Sequence, residues 1–94
     1  MFELERVDSQ RIRLKGRFDA AQEARVKDVL DQVPGSVTLD CEELTYISSA
    51  GLGVLVATQL RLSKQGGELR LTRVNAHIQE LLKLSGLDRV IPVS

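Results

Sequence analysis

Two adjacent hydroxyls, Ser48 and Ser49, stand before a run from Ala50 to Ala57 that carries no polar side chain. A serine in that setting has two chemistries open to it. One is nucleophilic catalysis, which needs a histidine base and an orienting acid within hydrogen-bond reach. The chain has a single histidine, His77, and no nucleophile-elbow motif around either serine, so a hydrolase triad lacks its parts. The other is acceptance of a phosphoryl group. At a helix start, unpaired N–H groups and the helix dipole favour a phosphate, so the fold survives the modification. Its added charge of about −1.5 to −2 then opposes whatever docks on the neighbouring apolar run. Against this stands a bland reading: a serine that is only an N-cap, glycines that permit close helix–strand packing, and Leu52, Leu55 and Val56 as core.

Gly51 and Gly53 fall in the first turns of that helix, where each costs about 1 kcal/mol relative to Ala. A surface helix is apolar on one stripe, whereas here apolar residues circle the helix start. Part of the ring is therefore expected to be exposed or to lie against a partner. Such a break with local preference is where function concentrates. The other reactive side chains offer less. Cys41 is the lone cysteine, which excludes an internal disulfide, and with one histidine it makes no standard zinc site. It reads as a buried small hydrophobe at a strand end. His77 reads as solvated, Glu42-Glu43 as a solvated loop, and Gly51-Leu52-Gly53 as a fragment of a dinucleotide fingerprint in the wrong place. No catalytic residue, metal site or cofactor is expected.

The elements that position Ser48 and Ser49 follow from periodicity. Phe2 and Leu4 alternate with Glu3 and Glu5; after a turn at Asp8-Ser9-Gln10, Ile12, Leu14 and Phe18 alternate with Arg11, Arg13, Lys15 and Arg17. This predicts an antiparallel hairpin with one buried face, its charged stripes paired across the strands. Asp19 opens a helix, with Gln22 placed for a capping box; Val26, Val29, Leu30 and Val33 form its stripe, and Pro34-Gly35 stops it. Val37 to Cys41 reads as a strand, followed by a loop anchored by Leu44, Tyr46 and Ile47. A helix runs from about Ala50 to Lys64, a strand from Glu68 to Arg73, a helix capped by Asn75 and ended by Gly86, and a last strand from Val90 to Val93. The order ββαβαβαβ predicts a mixed sheet, parallel wherever a helix joins two strands, with helices mainly on one face.

The chain of 94 residues has room for one domain, spanning 1–94. Thirteen basic residues balance thirteen acidic ones, and there is no Trp, one Tyr and two Phe, which argues against nucleic-acid binding. No apolar stretch approaches the ~20 residues that span a bilayer, and the first residues alternate and carry charge, unlike a signal peptide. The expected location is the cytoplasm.

The stretch Leu39-Asp40-Cys41-Glu42-Glu43-Leu44-Thr45-Tyr46-Ile47-Ser48-Ser49-Ala50-Gly51-Leu52-Gly53-Val54-Leu55 resembles the signature of STAS domains, and within them the bacterial anti-sigma factor antagonists. Leu14-Lys15-Gly16-Arg17-Phe18-Asp19, Gln65-Gly66-Gly67-Glu68-Leu69 and Leu84-Ser85-Gly86-Leu87 are similar to further family motifs in the right order. The resemblance covers nearly the whole chain. It implies a mixed α/β (α+β) fold of the STAS, SpoIIAA-like type, with a hairpin and βαβ crossovers in a four- to five-stranded sheet. It also implies a non-enzymatic switch: the unphosphorylated antagonist binds an anti-sigma factor that is also a serine kinase, and a metal-dependent serine phosphatase reverses the modification. Ser49 matches the phosphorylated serine, with Ser48 as a second acceptor. Asp19 and Asp40 match acids near that serine, and Asp19, Asp40, Ser48, Ser49, Ala50, Gly51, Leu52, Gly53 and Val54 would form the docking surface. Ser48 stands where the family pattern has Asp, and the sequence ends at Ser94, where many antagonists add a final helix. Short forms among STAS subunits of lipid-transport ABC systems make a constitutive adaptor for an ATPase or transporter component the alternative.

Overall fold

Alternation in the first residues makes the hairpin: β1 (Phe2–Asp8) pairs antiparallel with β2 (Arg11–Phe18), Leu4 opposite Leu14 and Glu5 opposite Arg13. Gly16 is obligatory in it. Its φ is +86°, and a Cβ there would stand 1.9 Å from the Met1 carbonyl oxygen, to which Arg17 donates its N–H. These coordinates are a computed structural model that describes residues 1–94.

The predicted capping box at Asp19 does not form. Asp19 Oδ1 accepts from the Ala21 N–H at 3.1 Å, but the chain tightens into a 3₁₀ turn over Ala20–Gln22, and the Gln22 N–H goes to the Asp19 carbonyl instead. Helix α1 then spans Glu23–Asp31 and buries Val26 and Leu30. The larger difference lies in β3, which is one strand from Val37 to Ile47 and not a strand followed by a loop. It pairs parallel with β2 along its length, with an extra β3 residue at two places: between the pairs Arg13–Asp40 and Lys15–Glu43, and between Gly16–Leu44 and Arg17–Tyr46. Each bulge resets which face the side chains take, so the period-two signal breaks and the segment reads as irregular.

Helix α2 (Ser49–Lys64), β4 (Leu69–Thr72) and α3 (Ala76–Leu84) complete the molecule, with β4 parallel to β3 and the sheet in the order β1-β2-β3-β4. Asn75 caps α3 by accepting from the Ile78 N–H at 2.9 Å, and Gly86 ends that segment with φ +77°. The expected last strand shrinks to a single parallel bridge between Leu71 and Val93, because a 3₁₀ turn at Leu87–Arg89 uses up its start and Pro92 has no N–H for a ladder. One core of 20 buried residues lies between the sheet and the helices, built from Ile12, Leu14, Phe18, Leu39 and Leu71 on one side and Val26, Leu30, Leu55, Leu62, Ile78 and Leu82 on the other. No helix is long and apolar enough to cross a membrane.

The opposite face of the sheet is a lattice of charge. Arg13 pairs with Glu5 at 3.2 Å and with Asp40 at 3.3 Å, while Lys15 pairs with Glu43 at 3.3 Å and with Glu3 at 4.0 Å. Arg73, just past β4, spans Asp40 and Glu42. The hairpin pairing is as expected; the recruitment of Glu42 and Glu43 was hidden by the loop reading, and Asp40, read as a strand residue, was expected beside Ser49 and not under Arg13 and Arg73. Asp40 is 1% exposed, yet charged. The Arg73 guanidinium lowers its carboxyl to about 2, helped by the Glu42 N–H and Arg13 and opposed by burial. Because the folded value lies below the unfolded one, this contribution is present above about pH 4 and disappears as pH falls toward 2. Chemical denaturation between pH 5 and 2 should therefore show Asp40→Asn losing less stability on acidification than the parent, by about 1–2 kcal/mol given that Arg73 is half exposed. Identical acid limbs would contradict it.

Candidate functional site

The parallel ladder between β2 and β3 ends with Phe18 beside Ile47, and it runs one bond further: the Ser48 N–H donates to the Phe18 carbonyl at 2.9 Å. Ser48 is thereby held extended, with φ −85° and ψ 171°, the conformation an N-cap needs. Its Oγ accepts from the Gly51 N–H at 3.1 Å and its carbonyl accepts from the Leu52 N–H at 2.9 Å. Every polar group of Ser48 is thus tied into the junction, and the residue is half-buried. Ser49 is the first helical residue. It is exposed, and its hydroxyl makes no hydrogen bond within the protein. With the Gly51 amide taken by Ser48 Oγ, the amides of Ser49 and Ala50 are the ones left without an acceptor in the helix or its cap. The two serines, equivalent in sequence, are therefore different in kind.

Gly51 and Gly53 also separate. A Cβ on Gly51 would meet Ile47 Cγ1 at 2.8 Å and the Phe18 carbonyl oxygen at 3.2 Å, so the first turn of α2 approaches the strand ends as closely as it does because no side chain intervenes. A Cβ on Gly53 would meet nothing within 4 Å. Packing explains Gly51. It gives no account of Gly53, which faces outward.

The residues expected to act together are only partly brought together. Asp19 follows Phe18 and so stands beside Ser48 and Ser49, although its carboxylate is engaged with the Ala21 N–H. Asp40 does not join them: it lies seven positions before Ile47 along β3, roughly 20 Å of strand, and it is buried under Arg13 and Arg73. Gly51 and Val54 face the core, while Ala50 and Leu52 are half-buried and Gly53 is exposed. The open side of α2 continues further than expected, through Val56 and Ala57 to Leu60, which is 55% exposed. Thr58 and Gln59 lie on the buried side instead. Gln59 takes the place of a strand neighbour: its Oε1 accepts from the Leu69 N–H at 2.7 Å and its Nε2 donates to the Val90 carbonyl at 2.8 Å. The helix thus turns two polar residues inward beside Val54, Leu55 and Leu62 and leaves an apolar stripe outward. The sequence signal for this was Leu60 lying one turn beyond the unbroken apolar run.

At the same end of the sheet, on its helix-free side, Arg17 stacks on Tyr46 with the guanidinium carbon 4.1 Å from the ring centre. Cys41 is buried, which pushes its thiol up to about 12 and leaves it unreactive. His77 is exposed, and no group of three His, Cys, Asp or Glu side chains gathers in a way that could hold a metal ion.

A family model described as "Mlab, STAS domain" matches residues 2–92. The chain is 32% identical over 82 residues to the anti-sigma-B factor antagonist of Listeria monocytogenes, which covers 83% of this chain and 72% of that protein. It is 28% identical over 87 residues to the anti-sigma F factor antagonist of Paenibacillus polymyxa, covering 87% and 74%. Among solved structures, the phosphorylated form of the Bacillus cell-fate determinant SpoIIAA superposes with a TM-score of 0.73 at 17% identity, over 100% of this chain and 91% of that one. The chain spans between 49% and 74% of the length of the first curated relatives it matches.

The two glycines make opposite forecasts for thermal or chemical unfolding. Gly53→Ala should stabilise the protein by about 1 kcal/mol through helix propensity alone, whereas Gly51→Leu should destabilise it by about 1–3 kcal/mol by overpacking the junction. A destabilising Gly53→Ala would show that this glycine has an internal role after all.

Proposed function

The chain belongs to the STAS domain family, and on that premise we propose that it is an anti-sigma factor antagonist, switched by phosphorylation of Ser49. In the unphosphorylated state, the outward face of α2, with Ser49, Leu52, Gly53, Val56 and Leu60 and with Asp19 at its rim, docks on an anti-sigma factor that is also a serine kinase. Docking there releases the sigma factor. The observation that supports this best is the pairing of a free, exposed Ser49 hydroxyl with Gly53, a helix-weakening residue that has no packing reason to be there. A glycine at that point keeps the helix surface flat for a partner, and the partner supplies the missing reason.

In the modification, Ser49 Oγ attacks the γ-phosphorus of ATP held by the kinase. The bond from that phosphorus to the β,γ-bridging oxygen breaks, ADP leaves, and the hydroxyl proton passes to a base on the kinase. The new phosphate lies by the unpaired amides of Ser49 and Ala50 at the positive end of α2, where its charge is stabilised and the fold is retained. On the docking face the same charge has to be stripped of water against apolar side chains, which is costly without a matching cation. Hydrolysis by a metal-dependent serine phosphatase restores the hydroxyl. Ser48 is a poor acceptor by comparison, since its Oγ is half-buried and already holds the Gly51 N–H. These reactions use ATP and place the protein in the cytoplasm.

A second reading, a constitutive adaptor for an ATPase or transporter component, draws on one feature. Ser48 occupies the position where the antagonist pattern has an acid, so the charge beside the acceptor is missing. One experiment separates the two. The protein is incubated with the kinase and ATP, phosphate is mapped by mass spectrometry, and partner affinity is measured for Ser49→Ala and Ser49→Asp. The switch predicts a single phosphate at Ser49, none in Ser49→Ala, and at least about tenfold weaker binding by Ser49→Asp, or about 1.4 kcal/mol, with an unchanged unfolding midpoint. Absence of modification together with undiminished binding by Ser49→Asp would leave the adaptor.

A further inference from the structure

Residues 91–94 run beside β4 and form the edge of the sheet. Leu71 donates its N–H to the Pro92 carbonyl at 2.9 Å and accepts from the Ser94 N–H at 3.0 Å, which makes the parallel bridge to Val93. In that pattern the residue across the bridge turns its own N–H and C=O away from the sheet. Val93 accordingly has both groups without a partner in the protein, and so has the carbonyl of Ile91 two residues earlier. The edge is nonetheless anchored. Arg73 donates its N–H to the Ser94 carbonyl at 2.9 Å, Gln59 holds the Val90 carbonyl, and the Ile91 side chain is fully buried.

Alongside Val93 lies an open groove of about 520 Å³, within the range of natural ligand sites. Its other wall is one face of α3, given by Gln79, Glu80 and Lys83, with Leu82 beneath and Asp88 at the end. Glu80, Lys83 and Asp88 are exposed, and none of them takes part in an ion pair. A stretch of edge that offers an acceptor, a donor and an acceptor in strand spacing is matched by another extended main chain. Two carboxylates against one ammonium leave the groove with a net negative charge, which selects a cationic side chain on the incoming strand.

We propose that this groove binds an extended, basic peptide segment of a partner protein, which adds a strand along Val93 and lays a Lys or Arg against Glu80 or Asp88. The site is on a different edge of the molecule from Ser49 and is independent of the switch. An incoming strand donates to the Ile91 and Val93 carbonyls and accepts from the Val93 N–H, while its alternate apolar side chains rest on Ala76 and Val93.

The test uses the whole chain, isotopically labelled, titrated with the capped hexapeptide Val-Lys-Val-Lys-Val-Lys and followed by NMR. The expected result is saturable shifts at Val93, Gln79 and Lys83 with at least tenfold slower hydrogen exchange of the Val93 amide. Backbone N-methylation of the peptide should weaken binding at least tenfold. So should Val93→Pro, which removes the N–H at an edge position that tolerates proline. Glu80→Lys, which leaves the backbone untouched, should weaken the Lys peptide tenfold, and a Val-Glu peptide should bind the parent no better than that. Shifts that are absent, that fall on α2, or that are indifferent to N-methylation overturn the proposal. A concentration-dependent dimer abolished by Val93→Pro would assign the edge to a second copy of this chain and overturn it as well. The Ser49→Asp variant should bind the peptide like the parent, so failure here is distinct from failure of the switch.

Discussion

Everything at the Ser49 end of the molecule rests on how closely α2 enters against the strand ends. The Ser48 N–H is bonded to the Phe18 carbonyl, and Gly51 leaves no room for a Cβ between the helix and the ends of β2 and β3. With that approach fixed, the rotation of α2 about its axis is fixed too. Ser48 must cap, Ser49 must point outward, and Val54, Leu55 and Leu62 must enter the core. A hydroxyl presented this way is held by a fixed scaffold although it makes no hydrogen bond of its own, so the proposed modification combines accessibility with defined geometry.

The same rotation explains why α2 buries Thr58 and Gln59. With its N-terminus set by the junction, the side facing β4 meets the Leu69 N–H, which needs an acceptor, and Gln59 provides it from the helix. A leucine in that place would bury more carbon but would leave a backbone donor unpaired, at a cost of about 1–3 kcal/mol. Burial of Thr58 and Gln59 thus follows from main-chain needs, and exposure of Val56, Ala57 and Leu60 is its geometric counterpart. That exposed apolar stripe is the face to which the proposed docking is assigned.

On the far side of the sheet, charge takes the place of packing. Glu5, Arg13, Asp40, Arg73 and Glu42 link three strands and the exit from β4 in one continuous chain of contacts. Arg73 accepts a positive φ of 56°, uncommon for a side-chain-bearing residue, at the point where it reaches back over Asp40. The network ties the parallel strands together through Arg13, Lys15 and Arg73, each matched by carboxylates, while Arg17 on the same face stacks on Tyr46 and has no carboxylate partner.

By itself the sequence determined the class of fold, the hairpin and its charge pairing, the three helices, the Asn75 cap of α3, and the segment around Ser48 and Ser49 as the place where local rules break. Those features are local: period-two and helical spacing, a capping serine or asparagine, a glycine after a helix. Only the tertiary structure decided which serine is free, which glycine has a structural reason, that Asp40 belongs to a buried ion cluster far from Ser49, and that β3 runs on to Ile47. Each of these depends on a partner distant in the chain. Phe18 decides the fate of Ser48, Arg73 that of Asp40, and β2 carries the bulged half of β3. No pattern within β3 or α2 reports where those partners lie, because a bulge or a rotation of α2 changes the exposed residues without changing their order.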